Sequence, residues 1–156
     1  SEQDRTNQIL INIHGSLPQG WFMDTQTAID TFLQAPAFAV AGASRNREKY
    51  GNKVLRCYLQ NDRRAIPINP GCKEVEGQTC YPSIEAIPEK IKSLSVITSP
   101  SVTEQIVDDA IEAGVENIWM QPGAENALAV SNAESAGINV IAGGPCVLVV
   151  LGYHEG

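Results

Sequence analysis

The sequence lacks the features that mark several large classes of protein. None of its apolar runs approaches the ~20 residues of a membrane-spanning helix, so we expect no membrane partner. Basic residues are in the minority, with 11 Lys and Arg against 18 Asp and Glu, and the net charge is −7. Because nucleic-acid binding depends on cations that neutralise phosphates, we also expect no nucleic acid as a partner of this acidic protein.

Cysteine and histidine are too few and too scattered to predict a metal site. The four cysteines are Cys57, Cys72, Cys80 and Cys146, none of them in a C-x-x-C pair, and there are two histidines. Structural zinc sites usually need paired ligands at short spacing. No hydrophobic stretch of signal-peptide length follows the acidic start, and we expect a cytoplasmic protein with reduced thiols. A Cys72–Cys80 disulfide is an alternative.

The length and composition predict a single folded domain. The chain has 156 residues, of which 43% are hydrophobic, enough for a sizeable core. Residues 1–22 differ from the rest, and we interpret them as a loosely ordered N-terminal extension. The domain itself is expected over residues 23–156.

Short apolar runs alternate with helical patterns along this domain. The runs lack polar alternation, which is typical of strands buried on both faces. Such alternation predicts βαβ units, and therefore a single Rossmann-like α/β domain with a five-stranded, mainly parallel sheet and helices on both faces. The predicted strands are 38–42, 64–68, 94–98, 116–120 and 138–142, and the predicted helices are 24–34, 51–61, 102–113 and 125–136. Residues 73–77 are expected to be extended, and 83–86 and 146–151 to form helical turns.

The loop after the first predicted strand has the composition of a phosphate site. Gly42 allows a tight turn, Ser44 supplies a hydroxyl, and Arg45, Arg47 and Lys49 place three cations within five residues. The N-terminus of the helix that follows also favours anions. The alternative is a solvated basic loop, in which Glu48 balances one charge.

The sequence argues against a dinucleotide as the phosphate ligand. Folds that bind NAD use G-x-G-x-x-G in this loop and an acid at the end of the second strand. Here Gly42 stands alone in the first turn, and Asn69 and Pro70 occupy the place of the acid. No P-loop motif is present either.

Three motifs in order carry a resemblance to a known family. They are V-A-G-A-S-R-N-R-E-K-Y-G at 40–51, I-P-I-N-P at 66–70 and C-Y-P-S at 80–83. Together they resemble the small stand-alone CoA-binding proteins, whose domain is similar to the CoA-binding domain of the succinyl-CoA synthetase alpha subunit. The resemblance covers residues 24–146. In the family the segment after the final cysteine is often polar and charged, whereas here it is apolar.

The resemblance implies coenzyme A as the ligand and assigns it a set of contacts. Tyr50 and Gly51 would shape the first loop. The implied cofactor-binding residues are Gly42, Ala43, Ser44, Arg45, Lys49, Asn69, Pro70, Lys73, Ser99, Pro100, Gln121 and Pro122.

The expected function is that of a nucleotide-binding module for CoA or acyl-CoA, without catalytic residues. One alternative is an enzyme that acts on CoA thioesters, and another is an NAD(P)-dependent oxidoreductase. Cys146 follows the fifth predicted strand and could be a redox thiol or a nucleophile, but we interpret it as a small buried thiol. A homodimer is an open alternative to a monomer.

Overall fold

The structure, a computed structural model, describes residues 24–155. The predicted N-terminal extension lies outside the described residues. In chain order the elements are α1 (Thr25–Leu33), β1 (Phe38–Ala41), α2 (Tyr50–Gln60), β2 (Ala65–Ile68), β3 (Glu74–Val75), β4 (Gln78–Thr79), a 3₁₀ turn (Ile84–Ala86), β5 (Ser93–Val96), α3 (Pro100–Ala113), β6 (Asn117–Met120), α4 (Ala127–Ser135), β7 (Asn139–Ile141) and α5 (Val147–Leu151).

Five of the strands form one parallel sheet in the order β2-β1-β5-β6-β7. This confirms the predicted α/β fold with a parallel sheet. The strand order reverses between β1 and β5, because the chain first builds outward to β2 and then crosses to the other side of β1. Strands β3 and β4 form a separate antiparallel hairpin.

Strands β1, β2, β5 and β6 are buried along their whole length because helices cover both faces of the sheet. All four residues of β1 are buried. Phe38 and Val40 belong to a core with residues of α1 and α2, whereas Ala39 and Ala41 belong to a second core with residues of α3 and α4. Successive side chains of a strand point to opposite faces, so β1 contributes to both cores.

Aromatic side chains fill the core beneath α1 and α2. The Phe38 ring stacks on Tyr58 with centroids 4.7 Å apart, and Phe32 meets Trp119 edge-on at 5.3 Å. The buried Tyr58 hydroxyl is satisfied by Ser95 Oγ at 2.5 Å. Trp119 is fully buried.

Several element boundaries differ from the predictions for local reasons. Helix α3 begins at Pro100 rather than Val102, because proline at the first helical position needs no hydrogen-bond partner for its nitrogen. Helix α4 begins at Ala127 rather than Glu125, because Asn126 Oδ1 caps it by accepting from the N–H groups of Leu128 and Ala129. The extended piece predicted at 73–77 is one arm of the β3–β4 hairpin.

Helix α2 starts in direct contact with the end of β1. A Cβ atom on Gly51 would lie 1.9 Å from the Gly42 carbonyl oxygen, a distance that no side chain tolerates. Gly42 itself has a φ of 95°, in the left-handed region that favours glycine. The two glycines therefore allow the N-terminus of α2 to approach the sheet closely.

We expect Gly51→Ala to lower the free energy of unfolding by about 2 kcal/mol or more, since overpacking against backbone typically costs ~1–3 kcal/mol. Urea denaturation monitored by circular dichroism measures this change. Gly71→Ala is the matched control, because its added Cβ would meet only Asn69 Oδ1 at 3.4 Å, an ordinary contact. Equal stability of the two variants would contradict the close approach.

Candidate functional site

The carboxyl ends of the five parallel strands meet at one edge of the sheet, which we call the carboxyl edge. Ligands of open α/β sheets bind beyond this edge, where the strand order reverses. Here the reversal lies between β1 and β5. The segments that follow β1 and β5 stay close to each other, since a Cβ atom on Gly42 would lie 2.9 Å from the Ile97 carbonyl oxygen. The predicted site residues all lie in segments that follow these strands.

The loop between β1 and α2 is shaped by its own short hydrogen bonds. Ser44 Oγ accepts from the N–H of Asn46 at 3.0 Å, and Asn46 Oδ1 accepts from the N–H of Glu48 at 2.9 Å. The loop ends at Lys49, the N-cap of α2, whose side chain makes no capping hydrogen bond. The first N–H groups of a helix lack intrahelical partners and carry partial positive charge. A lysine beside this helix start suits an anion.

The three cations of this loop have different surroundings. Arg47 Nε lies 3.2 Å from Glu76 Oε2, so its charge is balanced within the protein. Arg45 and Lys49 are exposed, and neither forms an ion pair with another residue between 24 and 155. The positive charge left for a ligand is therefore that of Arg45 and Lys49.

A buried polar network lies behind the loop. Asn52 is fully buried, and its Nδ2 donates to the Ser44 carbonyl at 2.8 Å and to Glu76 Oε2 at 3.0 Å. Asn52 Oδ1 accepts from Arg56 Nε at 2.6 Å, and Arg56 Nη2 donates to the Arg47 carbonyl at 2.9 Å. The network joins α2 and the β3–β4 hairpin to the loop.

Sequence reasoning missed this network. Asn52 and Arg56 lie four residues apart on α2, a spacing that places two polar side chains on one face and could have been noticed. Glu76 gave no comparable signal, because its contact with the loop depends on how the β3–β4 hairpin folds back.

Of the three predicted site residues in the segment after β2, one makes internal hydrogen bonds and two are exposed. Asn69 Nδ2 donates to the Ala43 carbonyl at 2.6 Å, and its Oδ1 accepts from the N–H of Gly71 at 2.7 Å. Asn69 thus ties the end of β2 to the first loop. Pro70 and Lys73 are exposed next to it.

The segments after β5 and β6 show the same division. Ser99, the N-cap of α3, and Pro100 are exposed, as is Pro122. Gln121 is buried, and its Nε2 donates to Cys146 Sγ at 3.2 Å while its Oε1 accepts from the N–H of Val147 at 2.9 Å. The Gln121 amide therefore joins the end of β6 to the start of α5.

All four cysteines are free thiols in the structure. Burial raises the pKa of the Cys57 thiol to about 11, with a smaller contribution from Cys146 nearby. Burial also raises the pKa of Cys80, helped by the neighbouring Cys72. Cys146 is half-buried, so the expectation of a buried thiol was wrong for this residue. Its position after β7, with Gln121 beneath it, leaves it partly open at the carboxyl edge.

A cavity of about 640 Å³ lies at the opposite edge of the sheet, between the C-terminal ends of α1, α3 and α4. Its lining includes one lysine and one glutamate. Its buried amides are already satisfied, since Asn139 Nδ2 donates to Asn117 Oδ1 at 2.9 Å and Asn117 Nδ2 to Ser93 Oγ at 3.1 Å. Because parallel sheets bind ligands at their carboxyl ends, the candidate site is the carboxyl edge.

No three His, Cys, Asp or Glu side chains in residues 24–155 are grouped so that they could hold a metal ion. None of the helices in the same range is both long and apolar enough to cross a membrane.

Residues 36–152 match the protein family described as a CoA binding domain. This match covers most of the chain, and the protein belongs to that family. It follows that the fold described above is that of a CoA-binding domain.

Individual relatives agree with this assignment. A hypothetical protein from Pyrococcus horikoshii OT3 has a similar structure, with a TM-score of 0.77 and 28% sequence identity over 86% of this chain and 93% of that chain. Acetyl-coenzyme A synthetase 1 of Ca. Korarchaeum cryptofilum, described as dinucleotide forming and solved with phosphate and ADP, has a TM-score of 0.63 and 29% identity over 69% of this chain and 25% of its own.

A longer curated relative is similar over part of the chain. The ADP-forming acetate–CoA ligase I of Archaeoglobus fulgidus is 34% identical over 74 residues, which are 47% of this chain and 10% of the ligase. The chain therefore corresponds to a small part of that ligase.

Proposed function

We propose that this protein binds coenzyme A, free or acylated, at the carboxyl edge, and that the loop between β1 and α2 holds its phosphates. The observation that carries the proposal is the contact of Gly51 with the Gly42 carbonyl. It brings the N-terminus of α2 to the point where the strand order reverses, beside the charges of Arg45 and Lys49. Membership of the CoA-binding family supports CoA as the anion.

The predicted contact residues divide into two groups in this proposal. The side-chain amides of Asn69 and Gln121 form hydrogen bonds within the protein, so these residues position the backbone around the ligand. Ala43 is fully buried, and its carbonyl accepts from Asn69, so it also supports the site from within. The remaining residues would border the ligand directly: Gly42, Ser44, Arg45, Lys49, Pro70, Lys73, Ser99, Pro100 and Pro122.

The same geometry argues against NAD. A dinucleotide site needs a free acceptor at the end of the second strand for the ribose hydroxyls. The residue there is Asn69, an amide in place of the acid, and its Oδ1 already accepts one hydrogen bond from the N–H of Gly71.

Within residues 24–155, no base is described beside the thiol at the carboxyl edge, which favours a binding module over an enzyme. Cys146 follows β7 at the carboxyl edge, and its described hydrogen-bond partner, the Gln121 amide, is not a base. Because Cys146 is half-buried at the carboxyl edge, an enzyme that acts on CoA thioesters through this thiol is the second candidate. An assay for acyl-CoA hydrolysis, with Cys146→Ser as the comparison, distinguishes the two.

Titration calorimetry with CoA, NAD and NADP tests the ligand. We expect CoA to bind more tightly than either dinucleotide, because the first loop has a single glycine in its turn and the end of β2 offers no acid. NAD binding as tight as CoA binding would contradict the proposal.

We expect Lys49→Glu to weaken CoA binding at least tenfold. CoA carries a pyrophosphate and a 3′-phosphate, and the helix N-terminus supplies only about half a unit charge. A hydrogen bond to a charged group contributes roughly 1.5–3 kcal/mol, and about 1.4 kcal/mol is tenfold in affinity. Calorimetry at low and high salt measures the loss, which should shrink as salt screens the charges.

The control for this variant makes the same charge change at the other edge of the sheet. Lys92 is exposed and directly precedes β5, so Lys92→Glu alters the net charge equally without touching the first loop. Equal CoA affinity of the two variants at low salt, with both still folded by circular dichroism, would show that the phosphates bind elsewhere.

A further inference from the structure

Glu76 occupies a backbone conformation that its side chain disfavours. It forms the two-residue turn of the β3–β4 hairpin together with Gly77, and their φ angles are 50° and 78°. Turns with two positive φ angles prefer Asn-Gly or Asp-Gly, because longer side chains are strained there. A glutamate at such a position points to contacts of its side chain that offset this strain.

The Glu76 carboxylate reaches the first loop along two routes. Its Oε2 accepts from Asn52 Nδ2 at 3.0 Å, and the same Nδ2 donates to the Ser44 carbonyl at 2.8 Å. Its Oε2 also lies 3.2 Å from Arg47 Nε. The Glu76 side chain is 23% exposed and Asn52 is fully buried, so water screens these contacts only partly.

This arrangement has an electrostatic cost for the proposed ligand. A carboxylate close to the loop repels a polyanion such as CoA, and screening by salt is weak over such short, partly buried distances. Electrostatics alone therefore predicts that removing the charge of Glu76 would tighten CoA binding. A positioning role for Glu76 predicts instead that losing its side chain weakens CoA binding.

We propose that Glu76 is a positioning residue for CoA binding, which holds Asn52 and Arg47 so that the loop carbonyl of Ser44 is fixed and the charges of Arg45 and Lys49 are left for the phosphates. This role rests on the proposed function. It assigns to the β3–β4 hairpin the task of bracing the phosphate loop from outside the main sheet.

Glu76→Asn separates this role from a purely structural one. Asparagine suits the left-handed conformation better than glutamate, but its side chain is one methylene shorter and cannot hold both partners. We expect the melting temperature to stay level or rise, while calorimetry with CoA shows about a fivefold or greater loss of affinity. A residue that only stabilised the fold would not lose binding while the fold gained stability.

Two further variants serve as controls. Glu76→Gln keeps the side-chain length and an acceptor oxygen for Asn52, and we expect CoA affinity within about twofold of the wild type. Glu74→Ala removes a negative charge from an exposed position in the same hairpin, and we expect an equally small change.

The outcomes separate this role from the proposed function. Wild-type protein that binds no CoA would overturn both. Wild-type protein that binds CoA, together with a Glu76→Asn variant that binds it as tightly or more tightly, would overturn the role of Glu76 alone.

Discussion

The contact between the start of α2 and the end of β1 is the constraint on which the candidate site depends. Gly51 lies so close to the Gly42 carbonyl that no side chain fits between them. This closeness places the first amides of α2 at the point where the strand order reverses. The partial positive charge of these amides is thereby fixed by the packing of α2 against β1. The loop between the two elements needs only to reverse the chain direction. In the proposed function, anion binding at this edge follows from this arrangement.

Three of the few basic residues of this acidic protein lie in the loop between β1 and α2. Of the three cations in the loop, Arg47 is balanced by Glu76, whereas Arg45 and Lys49 have no ion-pair partner among residues 24–155. The buried Asn52 connects Glu76 to the loop backbone. The ion pair between Arg47 and Glu76 therefore lies beside the charges of Arg45 and Lys49. The β3–β4 hairpin supplies the carboxylate of that ion pair.

Much of the fold could be predicted from the sequence, because apolar strands and amphipathic helices alternate with clear breaks. The first loop was also recognisable, since its glycine, serine and cations are neighbours along the chain. The role of Glu76 was not, because it lies 24 residues beyond Asn52 and meets it only through a hairpin. The internal bonding of Asn69 and Gln121 was equally hidden, since a side chain's partners depend on which strands become neighbours.

Backbone amide spectra during titration with CoA test the central claim most directly. The account predicts that the ¹⁵N–¹H signals of residues 42–51 shift first and furthest, including those of Gly42 and Gly51. The signals of Gly114 and Gly137, which line the cavity at the opposite edge, should stay in place. Shifts concentrated at Gly114 and Gly137, with residues 42–51 unchanged, would contradict the assignment of the ligand to the carboxyl edge.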